Sequence, residues 1–351
     1  MKSIKVAIIG VGNCAKSLIE GVEFYSKNPS ETVGLIHETV GGYTVADIEF
    51  VAAFDIDERK VEKTLDKAIE SEPNRTLKLF DVSQSSVIVK RGPTYDSVVE
   101  DAREYFIHES TLSPVDIVSE LRSSGAEIVL NYLPTGSDEA TFAYAEAALE
   151  AGCSFINCMP TKLGRDKNWI ERFSQKGLVL LGDDIKSHFG ATVVNRSLLE
   201  LFKVRGFKIT QSDQTNYGGN ADHFNLHFRP HAKEESKESA LHSVLNPDDF
   251  KPVARMVYTE KNYDHKRASL FIMGEMFGRA PASLHVILDD EDSPNSGGVV
   301  VDAIRATRVL TENNMVEKAV EIGASFMKAP FVQVSESDAY KKFTELFHNL
   351  S

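Results

Sequence analysis

The sequence predicts an α/β protein: a doubly wound, mostly parallel sheet, followed by a second α+β unit whose sheet is largely antiparallel. Three observations carry this expectation. Short apolar runs of strand length alternate with helix-period stretches through the first half, a glycine-rich turn follows the first run, and beyond about residue 206 the runs lengthen and alternate apolar with polar residues. The short runs are 6–9, 50–54, 87–89, 128–132, 154–157 and 178–181. Between them, 14–25, 57–70, 137–151 and 191–202 carry helical spacing, the third with Phe142, Tyr144, Ala145, Ala148 and Leu149 along one side. Parallel strands joined through helices take right-handed crossovers, which lay helices on both faces. In the second unit, 207–211, 269–277 and 283–289 read as strands of a half-covered sheet. Helical spacing returns over 299–310, 315–324 and 338–348, where helices can pack back on the first unit. The expected organisation is 1–205 completed by 299–351, with 206–298 between. The stretch 31–47 is a long loop for a compact domain, a length that often marks function.

Charge and cysteine content narrow the partners. Among 351 residues, 39 Lys+Arg against 52 Asp+Glu give a formal charge of −13. That field repels phosphate backbones and anionic headgroups, which argues against nucleic acid and membrane partners. An anionic small substrate then requires a local cluster of Lys or Arg. Three cysteines without a CxxC pair, and no apolar run of membrane-spanning length, predict a cytoplasmic protein without a disulfide framework.

Gly10, Gly12 and Ala15, with Asn13 and Cys14 between, fit G-x-G-x-x-[GA] directly after a strand and at the start of a helix, the context this dinucleotide fingerprint demands. Gly10 permits the tight turn, Gly12 lets backbone N–H groups approach a pyrophosphate, and the small Ala15 keeps helix and sheet close. The sheet is therefore expected to be of Rossmann type. The acid that accepts ribose hydroxyls normally follows roughly 20 residues on. Here Asp55 arrives later, at the end of the second strand, if 34–47 loops out; an acid there favours NAD over NADP. The competing reading makes Asp57 the cap of a helix from Glu58 and Asp55 a turn residue.

Further along, Asn216, Asn220, Asp222 and Asn225 crowd around Gly218-Gly219, a density of short hydrogen-bonding side chains that suits a polyhydroxyl ligand or, equally, a polar turn. Lys233 and Lys237 lie four apart, able to clasp one anion from a helical face, although a Lys/Glu-rich helix is more often a solvated face. Lys186 follows a strand end, where doubly wound sheets bind ligands. His223, His227 and His231 recur every four residues, but Pro230 breaks the helix a metal site would need, so they read as surface or packing residues.

Several strings then add up to a resemblance. The fingerprint with its late acid, VIVKRGP (87–93), LPTGS (133–137), GDDIKS (182–187), NYGGNAD (216–222), DSPNSGG (292–298) and SFMKAP (325–330) resemble myo-inositol-1-phosphate synthase in its shorter archaeal and bacterial form, from Val6 to about Pro330. The resemblance implies an NAD-dependent isomerase that turns glucose 6-phosphate into an inositol phosphate, with a second sheet used for oligomerisation and a homotetrameric assembly. It implies catalytic roles for Lys233, Lys237, Lys266 and Lys328, and substrate contacts from Asn220, Asp222 and Asp264. Around the cofactor it implies Gly10, Gly12, Asn13, Cys14, Ala15, Asp55, Pro134, Gly136, Ser137, Asp183, Asp184, Lys186, Ser187, Asp292, Asn295 and Ser296. A divalent cation, a monovalent cation or none at the phosphate are all compatible with it. The chain departs from the pattern in a shorter stretch between Asp222 and Lys233, carrying Arg229-Pro230-His231, and in Ala232 and Glu235 within the lysine motif. Two alternatives stand beside this reading: a sugar-phosphate dehydrogenase that releases NADH, and a noncatalytic NAD-binding scaffold.

Overall fold

The computed structural model describes residues 2–96, 106–228, 253–348 and 350. The first sheet has the order β3-β2-β1-β4-β5-β6, with β1 Ile4–Ile9, β2 Ile48–Asp55, β3 Val89–Arg91, β4 Ile128–Asn131, β5 Ser154–Asn157 and β6 Leu180–Leu181. Every neighbouring pair is parallel. β1, β4 and β5 are almost wholly buried because both of their faces are covered, and their centres are apolar. One face packs on α3 Ile117–Ser124, α4 Asp138–Ala151 and α5 Lys167–Gln175, through Leu121, Tyr144, Ala148 and Phe173. The other packs on α1 Asn13–Lys27 and three C-terminal helices, α8 Asp292–Glu312, α9 Ala319–Phe326 and α10 Glu336–His348. Strand order reverses between β1 and β4, so a crevice opens beyond their carboxyl ends.

The second sheet has the order β10-β9-β7-β8, with β7 Lys208–Gly218, β8 Val253–Tyr258, β9 His265–Glu275 and β10 Pro281–Glu291. The β10/β9 and β9/β7 pairs are antiparallel, as the alternation predicts, but β8 runs parallel to β7. Ala268, Leu270 and Ile272 of β9 turn to the face covered by α6 Ala191–Val204, where Leu199 and Ala191 meet them. The remaining described α-helices are α2 Leu65–Ala68 and α7 Ala221–Phe228.

Three expectations change. The helix expected over 57–70 shrinks to α2 because Glu62 takes a positive φ of 63° and the backbone of 62–65 is drawn onto the sheet edge. Glu62 N–H donates to Val89 O at 2.9 Å, Leu65 N–H to Val87 O at 2.8 Å, and Val89 N–H to Lys63 O at 2.9 Å. The long loop is a packed element: Val40 and Tyr43 bridge, Gly41 (φ +55°) would put a Cβ 2.5 Å from Val309, and Arg305 donates to carbonyls of His37, Glu38 and Tyr43. The helix expected from residue 299 begins at Asp292, so the DSPNSGG string forms its first turns, with Pro294 where a missing N–H is tolerated.

Candidate active site

β1 ends at Ile9, and Gly10 turns the chain with φ +86°; a Cβ there would stand 2.7 Å from Tyr132 O, so only glycine fits. Gly12 precedes the first turn of α1 without any side-chain cap, and a Cβ on it would meet nothing within 4 Å. The helix therefore presents unsatisfied N–H groups and its positive end to open space, as anion binding requires. Asp55 closes β2 beside them: Oδ2 accepts from Val11 N–H at 2.8 Å, and Oδ1 from Ile56 and Asp57 N–H at 2.7 and 2.9 Å. Lys60, which no motif singles out, has a buried ammonium that donates to Val11 O at 2.9 Å and Asn74 Oδ1 at 3.0 Å and lies 3.8 Å from Asp55.

These residues open onto a cleft of about 240 Å³ that also takes in Asn13, Cys14, Pro134, Asp184, Ser187 and Ser296. The fit to a dinucleotide rests on this geometry: space where a side chain at Gly12 would stand, free helix N–H groups behind it, and a carboxylate at the strand end. Burial, reinforced by Asp264 and Asp292, pushes the Cys14 thiol up to about 12, so it is an uncharged wall at neutral pH.

Where the cleft meets the second sheet it shares Ser187, Asp292 and Lys328 with a smaller pocket of about 40 Å³. Lys266 enters this pocket because the period of two along β9 sends it to the same face as Ala268 and Leu270. Its ammonium pairs with Asp292 and lies 3.7 Å from Asp290. Lys328 comes from the other side, donating from Nζ to Asp184 Oδ1 at 2.7 Å and from its backbone to Asp184 O at 2.7 Å. Asp184 holds a positive φ of 61°. Gln214, Asn216 and His223 supply polar walls, and Gly190–Val193 supply the start of α6, which carries no side-chain cap. Asn220 and Asp222 line the larger cleft, Asp222 accepting from Thr135 Oγ1 at 2.7 Å.

Other expected site residues stand behind the walls. Asp264, 2 % exposed, is a hub: it accepts from Asn13 Nδ2 at 3.2 Å, Asn220 Nδ2 at 3.0 Å, Ser293 N at 3.1 Å and Ser293 Oγ at 2.9 Å. Burial, then the neighbouring Asp292, raises its carboxyl above the usual range. Asp183 is fully buried and accepts from Gly164 N at 2.7 Å, Asn157 Nδ2 at 2.8 Å, Leu163 N at 3.2 Å and Arg165 Nε at 3.1 Å. Burial pushes it up to about 6 against those donors. Lys186 turns away from the cleft, to Ala324 O and Glu336. Asn295 staples Phe189 at both its N–H and its carbonyl, Ala15 is core, and Gly136 and Ser137 lie outside both cavity linings. Lys233 and Lys237 lie outside the described residues. His223 is a buried wall residue whose Nδ1 is 3.0 Å from Asn220 Oδ1; His231 is outside the described residues, as is the side chain of His227. Among the described residues no group of three His, Cys, Asp or Glu side chains could hold a metal ion, and no helix is long and apolar enough to cross a membrane.

A six-stranded parallel sheet in this order, a fingerprint turn on its cleft and a second, mostly antiparallel sheet bearing lysines define a Rossmann-type two-sheet α/β protein. Comparison with known proteins agrees and is more specific. A family described as "Myo-inositol-1-phosphate synthase" matches residues 190–293. An inositol-3-phosphate synthase of Corynebacterium glutamicum is 41 % identical over 352 residues, covering 97 % of each chain. Among solved structures, Ari2 superposes with a TM-score of 0.79 at 32 % identity, covering 99 % of each chain. A myo-inositol-1-phosphate synthase-related protein from Thermotoga maritima shares the fold, with a TM-score of 0.83 at 23 % identity, covering 99 % of this chain and 98 % of that one. The chain belongs to the inositol-3-phosphate synthase family.

Proposed function

We propose that this protein converts glucose 6-phosphate to inositol 3-phosphate with NAD held in the fingerprint cleft, without net consumption of the cofactor. The observation that carries this reading is the convergence of Lys266 and Lys328 on one small polar pocket that shares three walls with that cleft. The start of α1 and Asp55 would hold the pyrophosphate and the ribose, and a carboxylate at Asp55 would repel a 2′-phosphate. Bound there, NAD supplies the acceptor and the donor for the hydride of substrate carbon 5.

The lysines answer what the sugar then needs. With carbon 5 at the ketone level the proton on carbon 6 becomes acidic, and its loss leaves an enolate that attacks the aldehyde at carbon 1. Negative charge develops on oxygen at each stage, and a preorganised cation aimed at it contributes about 3–4 kcal/mol. Lys266 and Lys328 fill that role, fixed by Asp292 and Asp184. Lys233 is assigned proton transfer at the carbon 5 hydroxyl and Lys237 the phosphate or the enolate, while the substrate phosphate can itself take the carbon 6 proton. The free N–H groups of α6 add an anchor for that phosphate. Asn220 and Asp222 face hydroxyls, and 206–298 supplies the catalytic and assembly surface of a homotetramer.

The test is direct. Incubated with NAD and glucose 6-phosphate, the protein is expected to yield inositol phosphate by phosphorus NMR with no net NADH absorbance. Stoichiometric NADH would establish the dehydrogenase instead; NAD binding without turnover would establish a scaffold.

A further inference from the structure

The segment after β6 that carries Asp184 is stitched to the chain around Lys328 by a short ladder. Asp183 N–H donates to Ala329 O at 3.0 Å, Ala329 N–H to Asp183 O at 3.1 Å, Lys186 N–H to Phe326 O at 2.7 Å, and Ile185 bridges Met327. Two residues beyond Asp184, the Lys186 side chain leaves the cleft and enters a buried cluster. Its ammonium donates to Ala324 O at 2.6 Å and to both oxygens of Glu336 at 2.8 and 2.9 Å. Glu336 Oε1 also accepts from Arg196 Nη1 at 2.7 Å, and Arg196 Nη2 donates to Val334 O at 2.5 Å. Arg196 belongs to α6, whose first turn forms the opposite side of the pocket. One carboxylate at the start of the last helix thus ties together the two elements between which the small pocket lies. Lys186 and Arg196 are 2 % and 0 % exposed, so neither cation can turn to water if Glu336 is lost.

We propose that Glu336 is a positioning residue for the reaction: it clamps Lys186 and Arg196, and so holds the Asp184–Lys328 pair and the start of α6 at fixed separation across the pocket. It touches neither cavity, and nothing in its surroundings suggests substrate contact. The inference rests on the proposed function for its kinetic consequence, but not for its geometric one. A carboxylate that bridges two buried cations contributes by location more than by stability, because replacing such a cluster with well-packed neutral groups is often neutral in free energy, whereas breaking it leaves charge unpaired.

The test uses the full chain with Glu336→Gln, which keeps a side-chain acceptor of the same shape, and Lys186→Gln as a second variant should the first fail to fold. Glu345→Gln on the exposed side of the same helix is the control. Two readouts are taken. The first is kcat per NAD-binding site, expected to fall about tenfold or more in Glu336→Gln, with NAD affinity within threefold of the parent. Combined with Lys328→Ala, the loss is expected to be less than the product of the single losses, because both changes act on one group. The second readout is independent of activity: the rate at which acetic anhydride acylates Lys328, followed by peptide mass spectrometry. It is expected to rise severalfold in Glu336→Gln and to stay at the parent value in the control. An unchanged Lys328 acylation rate in a folded variant, or kinetic losses that simply multiply, would overturn the positioning role. A parent protein that makes no inositol phosphate would overturn the proposed function alone, leaving the acylation result to decide this inference.

Discussion

Lys266, on β9, and Lys328, between α9 and α10, reach one pocket from different elements, each with an ammonium already seated on a carboxylate. Such pairing fixes the donors before substrate arrives, which is the condition under which a cation lowers a barrier without reorganising. Lys328→Ala and Lys266→Ala are each expected to lower kcat by about 10²–10³ while leaving NAD affinity near the parent value. Single-turnover kinetics and fluorescence titration with NAD measure the two quantities separately. A loss confined to KM would instead assign the lysine to uniform binding. At this scale the motifs single out the two lysines but do not tell which way the charged groups beside them face. Asp264, Asp183 and Lys186 look like site residues in one dimension, since they neighbour or belong to site strings. In three dimensions their side chains turn inward, where Asp264 and Asp183 gather backbone N–H groups and amides and Lys186 joins Glu336. Lys60 went the other way, because nothing in a lysine's own neighbourhood says that its Nζ will meet a backbone carbonyl 49 positions away.

Among the elements, α8 does more than cover the first sheet. Its Arg305, fully buried, donates at 2.8 Å to the carbonyls of His37 and Glu38, at 3.3 Å to that of Tyr43, and pairs with Asp302. Asp302 in turn meets His37 Nδ1 at 2.6 Å. These bonds tie the loop's backbone to α8, while its Val40, Tyr43 and Val45 join the core. Arg305→Met removes those donors and leaves Asp302 as a buried charge without its guanidinium, so it is expected to destabilise the fold by about 3–5 kcal/mol. Urea unfolding followed by circular dichroism checks this; a change below about 1 kcal/mol would mean that water replaces the guanidinium. Helical and strand periods located most elements within a few residues, with two instructive failures. The pattern over 57–70 is helical in spacing, yet the backbone of 62–65 satisfies itself on β3, and tertiary pairing outweighs intrinsic preference. β8 was missed because a six-residue strand parallel to β7 needs a distant partner to be recognisable.

For the whole molecule, the cleft draws its walls from the first sheet, from the loop after β7 and from the start of α8, so a ligand there bridges segments distant in sequence. Ligand binding to the native state alone raises its stability by RT ln(1 + [L]/Kd). NAD at a hundred times its dissociation constant is therefore expected to add about 2.7 kcal/mol, read as a rise in the melting temperature. If Asp55 holds the ribose as proposed, NADP is expected to bind at least about tenfold more weakly, or about 1.4 kcal/mol, because the carboxylate would repel its 2′-phosphate. Equal shifts from the two nucleotides would remove Asp55 from the ribose site.

What the sequence determined by itself is the part written in local order: alternating strands and helices, a glycine fingerprint where a strand becomes a helix, an acid at a strand end, and lysines embedded in family strings. These are short-range properties, set by backbone sterics, hydrophobic period and the chemistry of single side chains. What only the tertiary structure decided is which way the charged groups face. Lys266 and Lys186 are both buried lysines beside motif acids, yet one points into a pocket and the other into an ion-pair cluster. The difference is made by carboxylates contributed from elsewhere in the chain, and desolvation makes each buried ammonium take whichever carboxylate the fold brings within reach.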